Sequence, residues 1–441
     1  MPIDSAVTPR NPSHASPLRV DFSGDLKAFV FVLFFAFGGI TSLNDVLIPK
    51  LKALYVLSYR DVMLVQSAFF AAYFIVSLPA AALVHRFGYM RSAVIGLLTM
   101  TVGCLLFAPA SSSGGFGLFL VALFVLASGI TTVQVVANPL ISRLGPPATA
   151  SSRLTFAQAF NSLGTTLFPY VGSALILGSL ATVDPASLSG AALAAFHTTE
   201  TRVVVHTYLG LAAALAILAV LAWLRRAALN EEPTGAVPVR RSFDLLARPR
   251  FACGALCIFL YVGGEVAIGS VIVNYLMQGS VLGLAAEQAG KQVPLYWGGA
   301  MVGRFIGAYV LRLFAPGKVL VAAAALVIGL LLISSHSTGE ASAASLLAIG
   351  LFNSIMFPTI FTLASEGLGK RAAEGSGIIC MAIVGGAVVP IITGKAADLW
   401  SLKSALLVPA ACYFGILLFG FFARRPLAHE QVRAPAPPIE I

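Results

Sequence analysis

From residue 27 to residue 423 the sequence is a succession of apolar runs, each about as long as a bilayer is thick, separated by polar turns. A helix rising 1.5 Å per residue needs about 20 residues to cross roughly 30 Å of hydrocarbon. Lipid offers an exposed backbone no hydrogen-bond partners, so only helices and closed barrels span it, and the alternating runs of about 10 residues that mark barrel strands are missing. Hydrophobic residues make up 58% of the chain and charged ones 10%, against about a quarter charged in soluble domains. The chain reads as an all-α polytopic membrane protein. Residues up to about Asp25 are polar, and the first run lies too deep and is too long for a cleaved leader.

Twelve transmembrane helices are predicted, at 27–55, 61–84, 90–110, 115–143, 152–178, 204–224, 251–278, 290–314, 317–335, 341–366, 372–396 and 402–423. An Arg-, Glu- and Pro-rich stretch separates the sixth from the seventh. The domains are thus a tail (1–26), a six-helix half (27–224), a linker (225–250), a second six-helix half (251–423) and a Pro-rich tail (424–441). The halves read as diverged repeats. The end of span two, Leu83 to Arg91, matches the end of span eight, Val310 to Lys318. Gly38-Gly39 matches Gly263-Gly264, and Asn161-Ser162-Leu163-Gly164 matches Ile383-Val384-Gly385-Gly386, all at the same offset to within a few residues. Parallel repeats of six spans with a substrate near the midplane between them are a transporter architecture.

The formal charge of +10 would suit nucleic acid, but topology explains it better. With both termini cytoplasmic, Lys and Arg gather on the cytoplasmic side. Only Lys50, Lys52, Arg60, Arg202, Lys291, Lys395 and Lys403 lie opposite, and Arg304 lies within a span. That asymmetry follows the positive-inside rule. No nucleic-acid partner, cofactor or metal is expected. The five cysteines sit in apolar segments without metal-ligand spacing and read as packing residues. No phosphate-cradling loop, metalloprotease motif or nucleophile elbow occurs, so the chain reads as neither an enzyme nor an ATP-driven pump. His85, in the turn after span two, reads as a solvated surface residue, with proton sensing as the alternative.

Asp45 interrupts the first span, in Gly38-Gly39-Ile40-Thr41-Ser42-Leu43-Asn44-Asp45. An ionised side chain at the bilayer centre costs about 2.5–3.5 kcal/mol on insertion scales, so such residues face a protein interior or a water-filled path. Counted from Lys27, Asp45 lies about 27 Å into a core of about 30 Å, in its outer half. Further polar residues share helix faces, since positions i, i+3, i+4 and i+7 align. They are Gly38, Thr41 and Asp45 in span one, Thr131, Gln134 and Asn138 in span four, and Gln158, Asn161 and Thr165 in span five. The second half adds Tyr261, Glu265 and Asn274 in span seven, Trp297 and Arg304 in span eight, and Asn353, Phe357 and Pro358 in span ten. Amides and hydroxyls from several helices suit a polyhydroxylated ligand, because each sugar hydroxyl both donates and accepts. The same groups also glue transmembrane helices together. Arg304 is expected to pair across the bundle with Glu265 or Asp45. Trp297 reads equally as a sugar-stacking ring and an interfacial anchor. Pro139 and Pro358, at corresponding spans, are expected to bend both halves alike.

The chain resembles the fucose-galactose-glucose proton symporters of the major facilitator superfamily. Matching stretches include Leu43-Asn44-Asp45, Gln66 to Tyr73, Ala137-Asn138-Pro139, Arg153 to Gly164, Phe259 to Val266, Gly303-Arg304-Phe305 and Phe357-Pro358-Thr359. The superfamily's loop after span two is matched by Leu83, Arg86 and Gly88, with His85 where an Asp is usual. The resemblance implies that Asp45 couples the proton, with Glu265 as its rival. It places Gln158, Asn161 and Arg304 at the cavity, and together with the polar residues of the spans the expected substrate contacts are Asn44, Gln134, Asn138, Gln158, Asn161, Tyr261, Glu265, Asn274, Trp297, Arg304 and Asn353. It implies a bacterial inner-membrane protein that works as a monomer on a sugar and a proton. Where the fucose branch carries a membrane glutamate this chain has Gln134, which cannot titrate, and this is similar to the glucose/galactose branch. The expected function is hexose–proton symport. Proton-independent facilitation or efflux, and a non-transporting sugar sensor, are the alternatives.

Overall fold

The computed structural model describes residues 24–55, 59–113, 116–172, 190–227 and 239–425, and among these the chain is helical without strands. The first half comprises α1 (Gly24–Tyr55), α2 (Tyr59–Phe87), α3 (Tyr89–Leu105) continued by α4 (Phe107–Ser113), α5 (Phe116–Arg143), α6 (Ala150–Gly172) and α7 (Gly190–Leu224). After the short α8 (Val239–Ser242) come α9 (Pro249–Met277), α10 (Ala286–Gly290), α11 (Val293–Leu313), α12 (Pro316–His336), α13 (Gly339–Asn353), α14 (Met356–Ser365), α15 (Ala372–Met381), α16 (Gly385–Leu399), α17 (Leu402–Ala405) and α18 (Leu407–Ala423). Taken as spans, α13 with α14 is the tenth and α15 with α16 the eleventh. The described helices therefore form twelve spans in two six-helix halves.

Ten of these spans are long and apolar enough to cross a membrane. The other two, α6 as the fifth span and α11 as the eighth, carry the polar residues named above and pack against one another across the interface between halves.

The matched motifs of the two repeats meet inside each half. On α1 against α6, a Cβ at Gly164 would lie 2.2 Å from the Phe35 carbonyl oxygen, and one at Gly38 would lie 2.4 Å from Asn161 Nδ2. On α9 against α16, a Cβ at Gly385 would lie 2.0 Å from the Phe259 carbonyl oxygen, and one at Gly263 would lie 2.3 Å from Val389. Small residues let membrane helices pack backbone to backbone, where dispersion and not water exclusion drives association. Gly164→Val is expected to lower the melting temperature in detergent by several degrees, since overpacking against main chain costs about 1–3 kcal/mol. Gly210→Ala, with nothing within 4 Å, serves as the neutral control. Equal melting of the two would show that α1 and α6 need not touch.

Two expectations are corrected. Helix α7 begins at Gly190, well before the predicted 204, because a helix continues through His197 to Arg202 where hydropathy fails. Pro139 leaves α5 unbroken, whereas span ten breaks at Ser354-Ile355, just before Pro358. Pro358 then sits in the first turn of α14, where a missing N–H goes unneeded. In the linker, α8 and the turn after it pack on α2 of the first half and on α9 and α15 of the second. The tails, except at 24–26 and 424–425, and linker residues 228–238 lie outside the described residues.

Candidate functional site

The side chains of Asn44 and Asp45 lie outside the described residues. Their positions are on α1, and Asp45 is two turns beyond Gly38, the point where α1 meets Asn161 of α6. Asn161 Nδ2 donates to the Phe34 carbonyl at 3.3 Å. One turn earlier on α6, Gln158 is buried and its carbonyl accepts Arg304 Nη1 at 3.1 Å, while the same nitrogen donates to the Ser162 hydroxyl. Arg304 Nε is buried without a hydrogen-bond partner. Gln158, Asn161 and Arg304 thus converge, with Arg304 reaching out of the second half onto a neutral surface of the first.

The expected ion pair of Arg304 is therefore replaced in part by hydrogen bonds to a carbonyl and a hydroxyl. Its charge still acts on Glu265 and on Tyr261, four residues earlier on the same face of α9. The Tyr261 hydroxyl donates to the Asn353 carbonyl at 3.1 Å. Asn353 Nδ2 donates to the Tyr296 hydroxyl at 2.9 Å, and that hydroxyl donates to the Glu265 carbonyl at 3.4 Å. Asn353 is fully enclosed. Trp297 is half-exposed and lies seven residues, two turns, before Arg304 on α11, with its ring against Gly269 of α9 and edge-on to Tyr296. Asn274 does not join the group. It is exposed and, nine residues beyond Glu265, falls half a turn out of phase with it.

On α5 the two amides part company. Gln134 accepts from the Tyr73 hydroxyl at 2.8 Å. Asn138 is 0% exposed, has no hydrogen-bond partner, and lies within range of the Cys380 thiol on α15. It is enclosed between the halves in this conformation. The hydroxyls of Thr41, Thr131 and Thr165 donate to carbonyls of their own helices, the local bonding open to threonine in any helix.

The halves are tied together at the end of the bundle where the linker docks. Ser152 donates to the Ala308 carbonyl at 2.6 Å and accepts from Arg312, Ser151 bonds Thr362, and Ser376 donates to the Val135 carbonyl at 2.9 Å. His85 corrects its expected place on the surface. It is 7% exposed, with Nε2 3.4 Å from Glu374 at the start of α15. Glu374 is in turn held by Arg371 at 2.6 Å, and Arg371 donates to the Arg241 carbonyl of the linker.

Ser162, Tyr73, Tyr296, His85 and Glu374 escaped the sequence reading as site residues. Each is singled out by a partner on another helix, and periodicity within one helix says nothing of that. Only the repeated match of Asn161 to Gly164 hinted at Ser162.

Residues 29–388 match the family described as Major Facilitator Superfamily. A glucose/galactose transporter of Brucella abortus is 45% identical over 421 residues, covering 96% of this chain and 99% of the relative. An L-fucose-proton symporter of Escherichia coli is 32% identical over 407 residues, covering 90% and 92%. The crystal structure of the superfamily transporter FucP in the outward conformation superposes with a TM-score of 0.82 at 30% identity, covering 91% of this chain and 99% of that one. With two six-helix halves, a guanidinium bridging them and relatives matched nearly end to end, the chain belongs to the major facilitator superfamily, in the family of the glucose/galactose transporters and L-fucose–proton symporters.

Proposed function

We propose that this protein imports an aldohexose with a proton by alternating access, across a bacterial inner membrane and with both termini cytoplasmic. The observation that carries the reading is the convergence of Arg304, Glu265, Gln158 and Asn161 where α6 and α11 cross between the halves. Amides that donate and accept, a guanidinium and the half-exposed ring of Trp297 are what a polyhydroxylated ring asks for. The name of the 45% identical relative supports glucose or galactose. Gln134 in place of a second acid supports the same choice.

The end closed by Ser151, Ser152 and His85 is the basic end, so by the positive-inside rule it faces the cytoplasm. The conformation is accordingly the one that receives sugar from outside, in keeping with the likeness to FucP in its outward conformation. Asp45 is the principal proton carrier and Glu265 the second. Protonation outside neutralises the site and accompanies sugar binding, the halves rock, and both solutes leave inside. A ligand moves that equilibrium only by its difference in affinity for the two states. The protein works as a monomer.

The test is a competition panel in proteoliposomes with an imposed pH gradient. D-Glucose and D-galactose are expected to compete about tenfold better than L-fucose, since a misplaced hydroxyl leaves a buried polar group unpaired. Accumulation should vanish when a protonophore collapses the gradient. Uptake indifferent to that collapse would instead favour the facilitator, a reading that the untitratable Gln134 keeps open.

A further inference from the structure

We propose that Asn353, at the break in the tenth span, is a positioning residue that sets the two tyrosines flanking Glu265. The inference rests on the reading above, in which Glu265 takes part in proton coupling.

A helix leaves its last four carbonyls without intrahelical partners. Because α13 ends at Asn353 and α14 begins only at Met356, the Asn353 carbonyl is free for the Tyr261 hydroxyl, 3.1 Å away. The break is satisfied locally elsewhere: the Ser354 hydroxyl donates to the Leu351 carbonyl at 2.6 Å. The Asn353 side chain takes the other tyrosine, Nδ2 donating to the Tyr296 hydroxyl at 2.9 Å, and that hydroxyl passes its own proton to the Glu265 main chain. Tyr296 has little freedom to leave, since a Cβ on Gly350 would lie 2.0 Å from its carbonyl oxygen. One enclosed residue therefore holds both tyrosines that touch Glu265.

Proton counting gives this arrangement a purpose. A tyrosine hydroxyl has one proton to donate. Tyr261 gives its one proton to the Asn353 carbonyl, so while that bond holds the neighbouring Glu265 carboxylate receives none from it. When Asn353 lets go, Tyr261 can turn and donate to the carboxylate instead. The groups facing Glu265 are Tyr261 on its own helix, Arg304 and Tyr296 on α11, and Tyr413 on α18, whose buried hydroxyl has no hydrogen-bond partner. Asn353 Oδ1 is likewise buried and unpartnered.

The test compares Tyr296→Phe, Asn353→Ala and the double variant with the parent in proteoliposomes, following D-glucose uptake against external pH. Each single change removes the Asn353 Nδ2 bond to Tyr296 that steadies the break carrying the Tyr261 acceptor, and is expected to move the pH midpoint of uptake about half a unit downward, the weight of one buried hydrogen bond. The double variant should move no further, because both changes cut one chain. Tyr296→Phe, which leaves no cavity, should keep the parent's melting temperature and carries the test if Asn353→Ala fails to fold. Additive shifts, or a midpoint unmoved in Tyr296→Phe, would overturn the inference. Glu265→Gln separates the two levels. If it leaves the midpoint in place, the coupling role of Glu265 falls and the inference with it. If it moves the midpoint while Tyr296→Phe does not, the inference alone falls.

Discussion

Asp45→Asn is expected to abolish accumulation of sugar while sparing sugar binding and the exchange of internal for external sugar. The amide keeps the size and the acceptor oxygen of the acid but cannot carry a proton. Each unit of pH gradient is worth about 1.4 kcal/mol per proton, so a symporter moving one proton per sugar loses about tenfold accumulation for every unit imposed. Exchange needs only that the loaded carrier reorient, and the neutral amide stands in for the protonated acid. Active uptake and counterflow, measured side by side in the same vesicles, read the two quantities apart. Accumulation that survives the change would transfer the coupling role to Glu265, which is also in a span and beside a cation.

The second large effect is expected at Arg304. Its guanidinium bonds the Gln158 carbonyl and the Ser162 hydroxyl across the halves. A hydrogen bond to a charged group is worth about 1.5–3 kcal/mol, so Arg304→Ala should shift the balance between conformations that have and lack this contact by about ten- to a hundredfold. The expected readouts are a raised half-saturation for sugar and a slower initial uptake, with Arg304→Lys intermediate, because an ammonium keeps the charge but loses the planar fork. Uptake unchanged by Arg304→Ala would reduce the residue to helix packing.

Much of this architecture was legible in the chain itself. Apolar runs give twelve spans and two halves because hydrocarbon thickness dictates their length. The misreadings arose where length was not the issue. Hydropathy registers lipid contact and not helix, so it missed the first turns of α7. It also had no means of seeing that span ten breaks before Pro358. Helical periodicity alone puts Gln158 near Asn161 on α6 and Tyr261 near Glu265 on α9. Asn274 was admitted although it stands out of phase with Glu265. The pairs that define the site chemically, Arg304 with Ser162, Gln134 with Tyr73 and Tyr296 with Asn353, join residues far apart in the chain. A single sequence gives no direct sign of such pairings. His85 was misjudged for the same reason: its neighbours in sequence are a polar turn, and its partner Glu374 lies in the other half.

The polarity of α6 and α11 also bears on how the chain is built. A segment that lipid by itself would reject stays in the bilayer when an earlier segment covers its polar face. Helix α6 leaves the ribosome after α1, whose glycines receive it, and α11 leaves after α6, onto which Arg304 docks. Each reluctant segment is thus born with its receiver already in place. The order of the spans along the chain doubles as the order of membrane assembly, and moving α1 behind α6 by circular permutation would remove that support before it was needed.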